Sequence, residues 1–301
     1  MSGIKKNNSF IIVAKKKIEI TNPDRILFPK VKIKKIELIN YYQRVASLML
    51  PLIKNHPLTL QRFPSGIHGE GFFQKDAGSY FPDWMKRVTV PKSEGGNVHY
   101  VVASSEATIV YLANQAAIVL HIWASKVPKL NYPDRMIFDL DPSGTNFTDV
   151  RHGALELKEI LEDHNLHTFV MTTGSRGLHV TVPLKPKYTF DQVGDYATRI
   201  ADILLESNPK KYTVQLRKAK RGNRIFIDTL RNRKSATAVA PYSVRATEHA
   251  SVALPLSWRE VHNTRLKPNG TTIKDIKKIL ARSTEWENFV QVHNVLSRVI
   301  T

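Results

Sequence analysis

Apolar and polar positions alternate along this chain with two different periods. Met136 to Leu140 predicts a strand, and Phe147 to His164 a helix with Val150, Leu155, Leu157, Ile160 and Leu161 at apolar positions. Thr168 to Thr172 and Leu178 to Leu184 predict two more strands, the second alternating Val180 and Val182 against Thr181 and Pro183. Phe190 to Glu206 predicts a helix carrying Val193, Ala197, Ile200, Ile203 and Leu204, and Arg224 to Leu230 a further strand. The order β-α-β-β-α-β is that of a ferredoxin-like, RRM-like antiparallel sheet. One face of such a sheet lies under its helices and the other is free for a site.

The first half reads as an α/β module. A basic leader, residues 1–17, ends in a strand-like run from Phe10 to Ala14. Thr21-Asn22-Pro23-Asp24 is turn chemistry. Ile36 to Leu52 predicts a helix with Leu38, Ile39, Tyr42, Val45, Ala46 and Met49 on one side, stopped by Pro51. Leu58 to Phe63 predicts a strand, Gly66 to Lys75 a glycine-rich loop carrying Phe72 and Phe73, and Val98 to Val102 another strand. Ala107 to Ala124 predicts a buried helix running into a strand, and Thr272 to Thr301 a helical end. The expected fold is therefore α+β. It is a single domain from residue 18 to 301, with an N-terminal α/β module over about 18–130 and the β-α-β-β-α-β module over about 131–261. A helical segment over about 272–301 completes it.

Composition narrows the function. The 301 residues are 42% hydrophobic, enough for a real core. There are 45 Lys+Arg against 26 Asp+Glu, a net charge of +19, which predicts a polyanionic partner. The basic residues are spread along the chain and not gathered on one amphipathic helix, which favours nucleic acid over a membrane surface. Cysteine is absent, so disulfides and thiolate zinc sites are excluded. The polar, basic start from Met1 to Ser9 is no secretory signal, and the expected location is the cytoplasm, on the nucleoid.

Candidate chemistry sits at strand ends. Asp139 and Asp141, two residues apart, share one face of a strand. Two crowded carboxylates repel unless a cation lies between them, and Mg²⁺ or Mn²⁺ takes such oxygens together with substrate phosphates. A plainer alternative is one helix-capping Asp and one solvated Asp. Asp228 is a third acid near a strand end, on a strand that the predicted sheet is not expected to pair directly with the Asp139 strand. Three convergent carboxylates can hold two ions about 3.5–4 Å apart for phosphoryl transfer. Alternatively Asp228 pairs with Arg224 or Arg231. The turn Thr172-Thr173-Gly174-Ser175-Arg176-Gly177-Leu178-His179 offers hydroxyls, backbone N–H groups, Arg176 and His179 to an anion. The run Arg217-Lys218-Ala219-Lys220-Arg221, with Arg231, Arg233, Lys234 and Arg245, predicts a positive field beside the acids. Adjacent Phe72 and Phe73 suit stacking on unpaired bases.

Six ordered motifs carry a family resemblance. They are Leu58-Thr59-Leu60-Gln61-Arg62-Phe63-Pro64, Gly71-Phe72-Phe73-Gln74-Lys75-Asp76, Phe138-Asp139-Leu140-Asp141-Pro142, Gly174-Ser175-Arg176-Gly177-Leu178-His179, Leu216-Arg217-Lys218-Ala219-Lys220-Arg221 and Ala240-Pro241-Tyr242-Ser243-Val244-Arg245. From about Ile18 to Val261 the chain resembles the polymerase domain of bacterial ATP-dependent DNA ligase D, within the archaeo-eukaryotic primase superfamily. The resemblance implies the primase-polymerase fold and a template-dependent nucleotidyltransferase that fills or extends DNA ends in non-homologous end joining, with a ribonucleotide preference. It implies two Mn²⁺ or Mg²⁺ ions on Asp139, Asp141 and Asp228, and an NTP or dNTP among Arg62, His121, Thr173, Ser175, Arg176, His179, Lys218 and Arg245. It places a DNA 5′-phosphate at Asn22, Arg25 and Lys35, and the template base on Phe72 and Phe73. Primer-template DNA, Ku and an ATP-dependent DNA ligase are the implied partners. The family often has Ser for Thr173 and Lys for Arg176 and Arg25. No ligase lysine motif or nuclease-type His cluster is visible, so the chain is expected to be the polymerase unit alone. Two rival functions stay open: a non-catalytic DNA-end-binding module, and a two-metal nuclease.

Overall fold

The computed structural model describes residues 10–92, 94–144 and 146–297. The leader expected over residues 1–17 therefore lies outside the described residues up to Ser9. Its strand-like end is real: Phe10–Val13 pairs antiparallel with Lys16–Glu19, and Ala14 and Lys15 turn between them in the left-handed region.

The fold is α+β and is built on two sheets. The larger has six strands in the order Tyr212–Thr213, Ile225–Asp228, Arg135–Pro142, Leu178–Pro183, Phe169–Thr172, Pro255–Leu256. All neighbours run antiparallel except the first pair. The helices Phe147–Asp163 and Phe190–Ser207 pack against one another and against its central strands. Thr189 starts the second helix, accepting from Gln192 N–H while the Gln192 side chain accepts from Thr189 N–H. Phe138, Leu140, Val180 and Val182 are fully buried with Leu157, Leu161, Val193 and Ile200 of these helices in the core. Alternation then sends Asp139, Asp141 and His179 to the opposite face.

The smaller sheet runs Thr237–Val239, Ala117–Trp123, Leu58–Arg62, Phe72–Gln74, all antiparallel. The helices Lys35–Ile53 and Glu106–Asn114 pack together, the latter against the Ala117–Trp123 strand. The edge strand Thr237–Val239 brings the chain back from the larger sheet, so the two sheets face a common space.

Four expectations are corrected. The Asp139 and Asp228 strands pair directly, with Asp139 opposite Asp228. Both crossover helices cover one face, so the last strand returns to the open edge of the first. Pro51 does not stop its helix, which runs to Ile53; in the last turn its missing N–H costs only one bond. Phe72 and Phe73 lie on a strand and not in a loop, because Leu58–Arg62 offers a free edge for pairing. The C-terminal segment is not a long helix. It is short turns at Ile273–Asp275, Ile276–Leu280 and Glu285–Asn288, with residues 298–301 outside the description. Its aromatic residues dock on the larger sheet: Trp286 stacks on Phe289 with centroids 4.9 Å apart, and Trp286 Nε1 donates to Val170 O at 2.9 Å.

Candidate active site

Strand pairing assembles the acids. Asp139 faces His179 on one side and Asp228 on the other. Asp141 follows two residues on, across from the Thr173–Gly177 turn. Gly177 allows that approach: a Cβ there would lie 2.1 Å from Leu140 O and 2.8 Å from Asp141 Oδ1. Gly174 has φ +68°, a left-handed conformation suited to glycine, and packs against Val252 and Arg245. Thr173 Oγ1 accepts from Gly177 N–H at 3.2 Å, so this hydroxyl shapes the turn. Ser251 Oγ donates to Gly174 O at 2.5 Å and anchors it.

The result is a cavity of about 230 Å³ between the two sheets. Asp139, Asp141, Thr173, Ser175, Arg176 and His179 line it from the larger sheet. His121 and Thr237 to Val239 line it from the smaller one, and Arg231 and Arg245 close it. Asp228 is not in the lining itself but stands beside Asp139 through the strand pairing. A larger cavity, about 460 Å³, lies by Tyr188, Tyr196 and Arg199 and contains one acid, Asp195. Chemistry, not size, distinguishes the site.

The charges are strongly coupled. Burial raises the Asp139 pKa, but His179, with Nε2 3.4 Å away, and then Arg231 outweigh that and hold it at about 2. Asp141 is pushed up by burial and then by Asp139, with Arg176 Nη2 4.0 Å away as a partial counterweight. Asp228 is also raised, by burial first. His121 is lowered to about 3 by burial, then by Arg245, Arg231 and His179, and is neutral at pH 7. Its buried Nδ1 has no hydrogen-bond partner.

Carboxylate oxygens are donors for a hard divalent cation. Asp139 Oδ1 is buried without a close hydrogen-bond partner, His179 Nε2 standing 3.4 Å away. The donor chemistry thus fits such an ion. Among the described residues, however, no three Asp, Glu or His side chains are already gathered for coordination. Between Asp139 and Asp228 lies the Arg231 guanidinium.

Other predicted residues stand apart. Arg62 stacks over Phe72 at 5.4 Å and donates to Gln115 O and Gln74 Oε1 at 2.8 and 2.7 Å. Phe72 and Phe73 are both exposed, and neighbouring strand residues point to opposite faces. Phe73 accordingly turns toward His121, ring centroids 5.8 Å apart, while Phe72 turns toward Arg62. Lys218 is exposed on the turn Lys218–Lys220 and does not line the cavity. Arg221 folds back, donating to Gln215 O and Leu216 O and covering Phe226. The positive field expected beside the acids is therefore supplied by Arg176, Arg231 and Arg245.

A second cluster surrounds buried Lys35. Its Nζ donates to Thr21 Oγ1 at 2.9 Å and Asn114 O at 2.8 Å. Burial, then Arg25 and Arg62, lower its pKa to about 8, and no carboxylate counters them. Arg25 Nη1 donates to Pro64 O at 2.6 Å, and Asn22, at φ +46°, accepts from Arg25 N–H. Positive charge is thus concentrated around Lys35, while the neighbouring acid Asp24 is taken up by Lys34 at 2.8 Å.

Of the two partners expected for Asp228, Arg231 does pair with it, but its reach on to Asp139 and the Thr237–Val239 wall were not foreseen, and nothing local signals either.

Comparisons with known proteins bear on the family and the fold. The family described as LigD, primase-polymerase domain matches residues 34–286. The chain is 32% identical over 254 residues to the multifunctional non-homologous end joining protein LigD of Mycolicibacterium smegmatis, covering 83% of this chain and 33% of that protein. It is 30% identical over 267 residues to the bifunctional LigD of Bacillus subtilis, covering 87% of this chain and 43% of that protein. It thus spans between a third and a half of the length of these relatives. Among solved structures, the polymerase domain from Mycobacterium tuberculosis ligase D in complex with DNA matches with TM-score 0.86 and 28% identity. That match covers 92% of this chain and 99% of the other.

Proposed function

Since the chain belongs to the LigD primase-polymerase domain family, and is a nucleotidyltransferase of the primase-polymerase kind, we propose that it extends DNA ends during non-homologous end joining. The carrying observation is the cross-strand pairing of Asp228 with Asp139, beside Asp141, in a cavity ringed by Arg176 and Arg245. Asp139, Asp141 and Asp228 are the side chains that would hold Mn²⁺ or Mg²⁺. A bound pair of ions would supply activation of the primer hydroxyl and charge neutralisation at the leaving pyrophosphate.

The protein's own groups do the rest. Arg176 and Arg245 meet the triphosphate of an NTP or dNTP, with Ser175, Thr173 and His179 beside it. Neutral His121 offers a hydrogen bond from the far wall, and Phe73 beside it a surface for a template base. The Lys35, Arg25 and Asn22 cluster takes the 5′-phosphate of the broken end, as its concentrated positive charge suggests. Arg62 and Lys218 lie outside the cavity and would reach the nucleotide or DNA only from its rim. Primer-template DNA, Ku and an ATP-dependent ligase are the partners in this reading, and the bacterial nucleoid its place of action. Ribonucleotides are the preferred substrate. The module boundaries near residues 130 and 261 belong to the same proposal.

Among the described residues no helix is long and apolar enough to cross a membrane. The DNA carried by the matched M. tuberculosis polymerase domain supports a DNA partner. The test is primer extension on a gapped, 5′-phosphorylated duplex with Mn²⁺, comparing wild type with Asp139→Ala. Incorporation should vanish in the variant; retained incorporation by the pure variant removes the assignment.

A further inference from the structure

The acids of the cavity already hold a cation of the protein's own. Arg231 sits on the turn Leu230–Asn232, three residues past Asp228. Its Nε and Nη2 both lie 3.2 Å from Asp139 Oδ2, and Nη2 is 3.5 Å from Asp228 Oδ2. One guanidinium therefore bridges two carboxylates that strand pairing sets opposite each other.

Its root is fixed and its head is partly exposed. The fully buried Asn232 side chain accepts from Ile137 N–H at 2.7 Å and donates to Ile137 O at 2.8 Å and Thr229 O at 2.9 Å. Leu230 N–H donates to Asp228 Oδ1 at 2.8 Å. The turn cannot drift. The Arg231 side chain is 40% exposed and has one other hold, a long 3.4 Å contact from Nη1 to Thr237 O.

We propose that Arg231 is a built-in competitor for the divalent ion: it neutralises Asp139 and Asp228 in the metal-free protein and must leave them before metal binds. This rests on the reading of the three aspartates as metal ligands. Like charges directly opposite on paired strands repel, and the flat arginine fork spans two carboxylates where a lysine would meet one. The competitor also explains why the acids, though paired in register, are not gathered as a ready metal site. On leaving, the guanidinium has an anion to meet, because it lines the same cavity as Arg176 and Arg245. An incoming triphosphate would draw it off the acids. Metal and nucleotide then enter together, and metal alone binds weakly.

The test is Mn²⁺ titration of the full chain, without nucleotide or DNA, read by the spin-resonance signal of free Mn²⁺. Wild type is compared with Arg231→Gln, Arg231→Lys and Asp139→Asn. Arg231→Gln should bind about tenfold tighter, the scale of one charge-assisted hydrogen bond; Arg231→Lys should fall between, and Asp139→Asn should lose binding. Added nucleotide should narrow the gap between wild type and Arg231→Gln. Equal or weaker binding by Arg231→Gln, with loss in Asp139→Asn, overturns the competitor and leaves the ligand assignment standing. Unchanged binding by Asp139→Asn overturns the assignment itself. The Mn²⁺-induced rise in melting temperature is a second readout, larger in Arg231→Gln than in wild type; a smaller rise overturns the proposal. Should Arg231→Gln fail to fold, Arg231→Lys decides by the same two readings.

Discussion

The strand Arg135–Pro142 carries a buried carboxylate network at each end, and only one is complete. At its start Arg135 Nε donates to Asp134 Oδ1 at 3.0 Å, and Nη2 to Leu52 O at 2.9 Å. His56 Nδ1 donates to Trp123 O at 2.9 Å, which leaves Nε2 to accept from Arg135 Nη2 at 2.9 Å. Burial lowers the His56 pKa and keeps the ring neutral, as that pattern needs. Burial alone would raise the Asp134 pKa, but the Arg135 guanidinium beside it holds it far below the usual carboxylate range. At the far end Asp139 Oδ1 and the facing His121 Nδ1 have no partner, and Asp141 and Asp228 are pushed up. A network whose members satisfy one another holds a fold. One that leaves polar atoms unpartnered in a cavity waits for a ligand.

Mutations at the two ends should therefore fail differently. The largest effect is on activity: Asp228→Ala should slow single-turnover nucleotide addition by about a hundredfold or more. Its melting temperature should stay near wild type, because burial of the Asp228 charge opposes folding and its removal offsets the lost bonds to Arg231 and Leu230 N–H. Loss of fold instead would erase the distinction. Next, Asp134→Ala should lower stability by about 3–5 kcal/mol in urea unfolding, since it strands the Arg135 charge in the interior. The molecules still folded should add nucleotides normally.

Gly177→Ala sharpens the contrast. Its Cβ would press on Leu140 O and Asp141 Oδ1, costing about 1–3 kcal/mol and slowing nucleotide addition by more than its loss of folded protein explains. Rates that track folded protein alone would contradict a positioning role. The smallest effect is on pH dependence. Lys35, lowered from 10.5 to about 8, gives up its proton more readily folded than unfolded. Between those values the unfolded chain binds more protons, so stability rises with pH there. Preference for a 5′-phosphorylated end should fall over the same range, as Lys35 loses the charge that attracts it. Competition binding with and without the 5′-phosphate at pH 7 and 9 checks this; Lys35→Gln should show no such change.

Much of this was legible in the residues. The apolar run at Met136–Leu140 and the alternation over Leu178–Leu184 marked the central strands, and the two-residue spacing put Asp139 and Asp141 on one face. What escaped were relations between distant segments. No local pattern says that Asp228 lies opposite Asp139, or that Arg231 bridges back across 92 residues. Trp286 and Phe289 are spaced like one face of a helix, yet they form a stacked pair against Phe169. Lys35 was singled out by the family resemblance alone, and nothing in its local pattern shows that the fold buries it beside Asn114.

The central claim is that the unsatisfied end of this strand performs nucleotide transfer. It is tested most directly by incubating the protein with a labelled primer on a template and Mn²⁺, with and without nucleoside triphosphates. The account predicts a longer primer, matched to the template, only when nucleotides are present. A shortened primer in either mixture, or an unchanged primer in both, would contradict it.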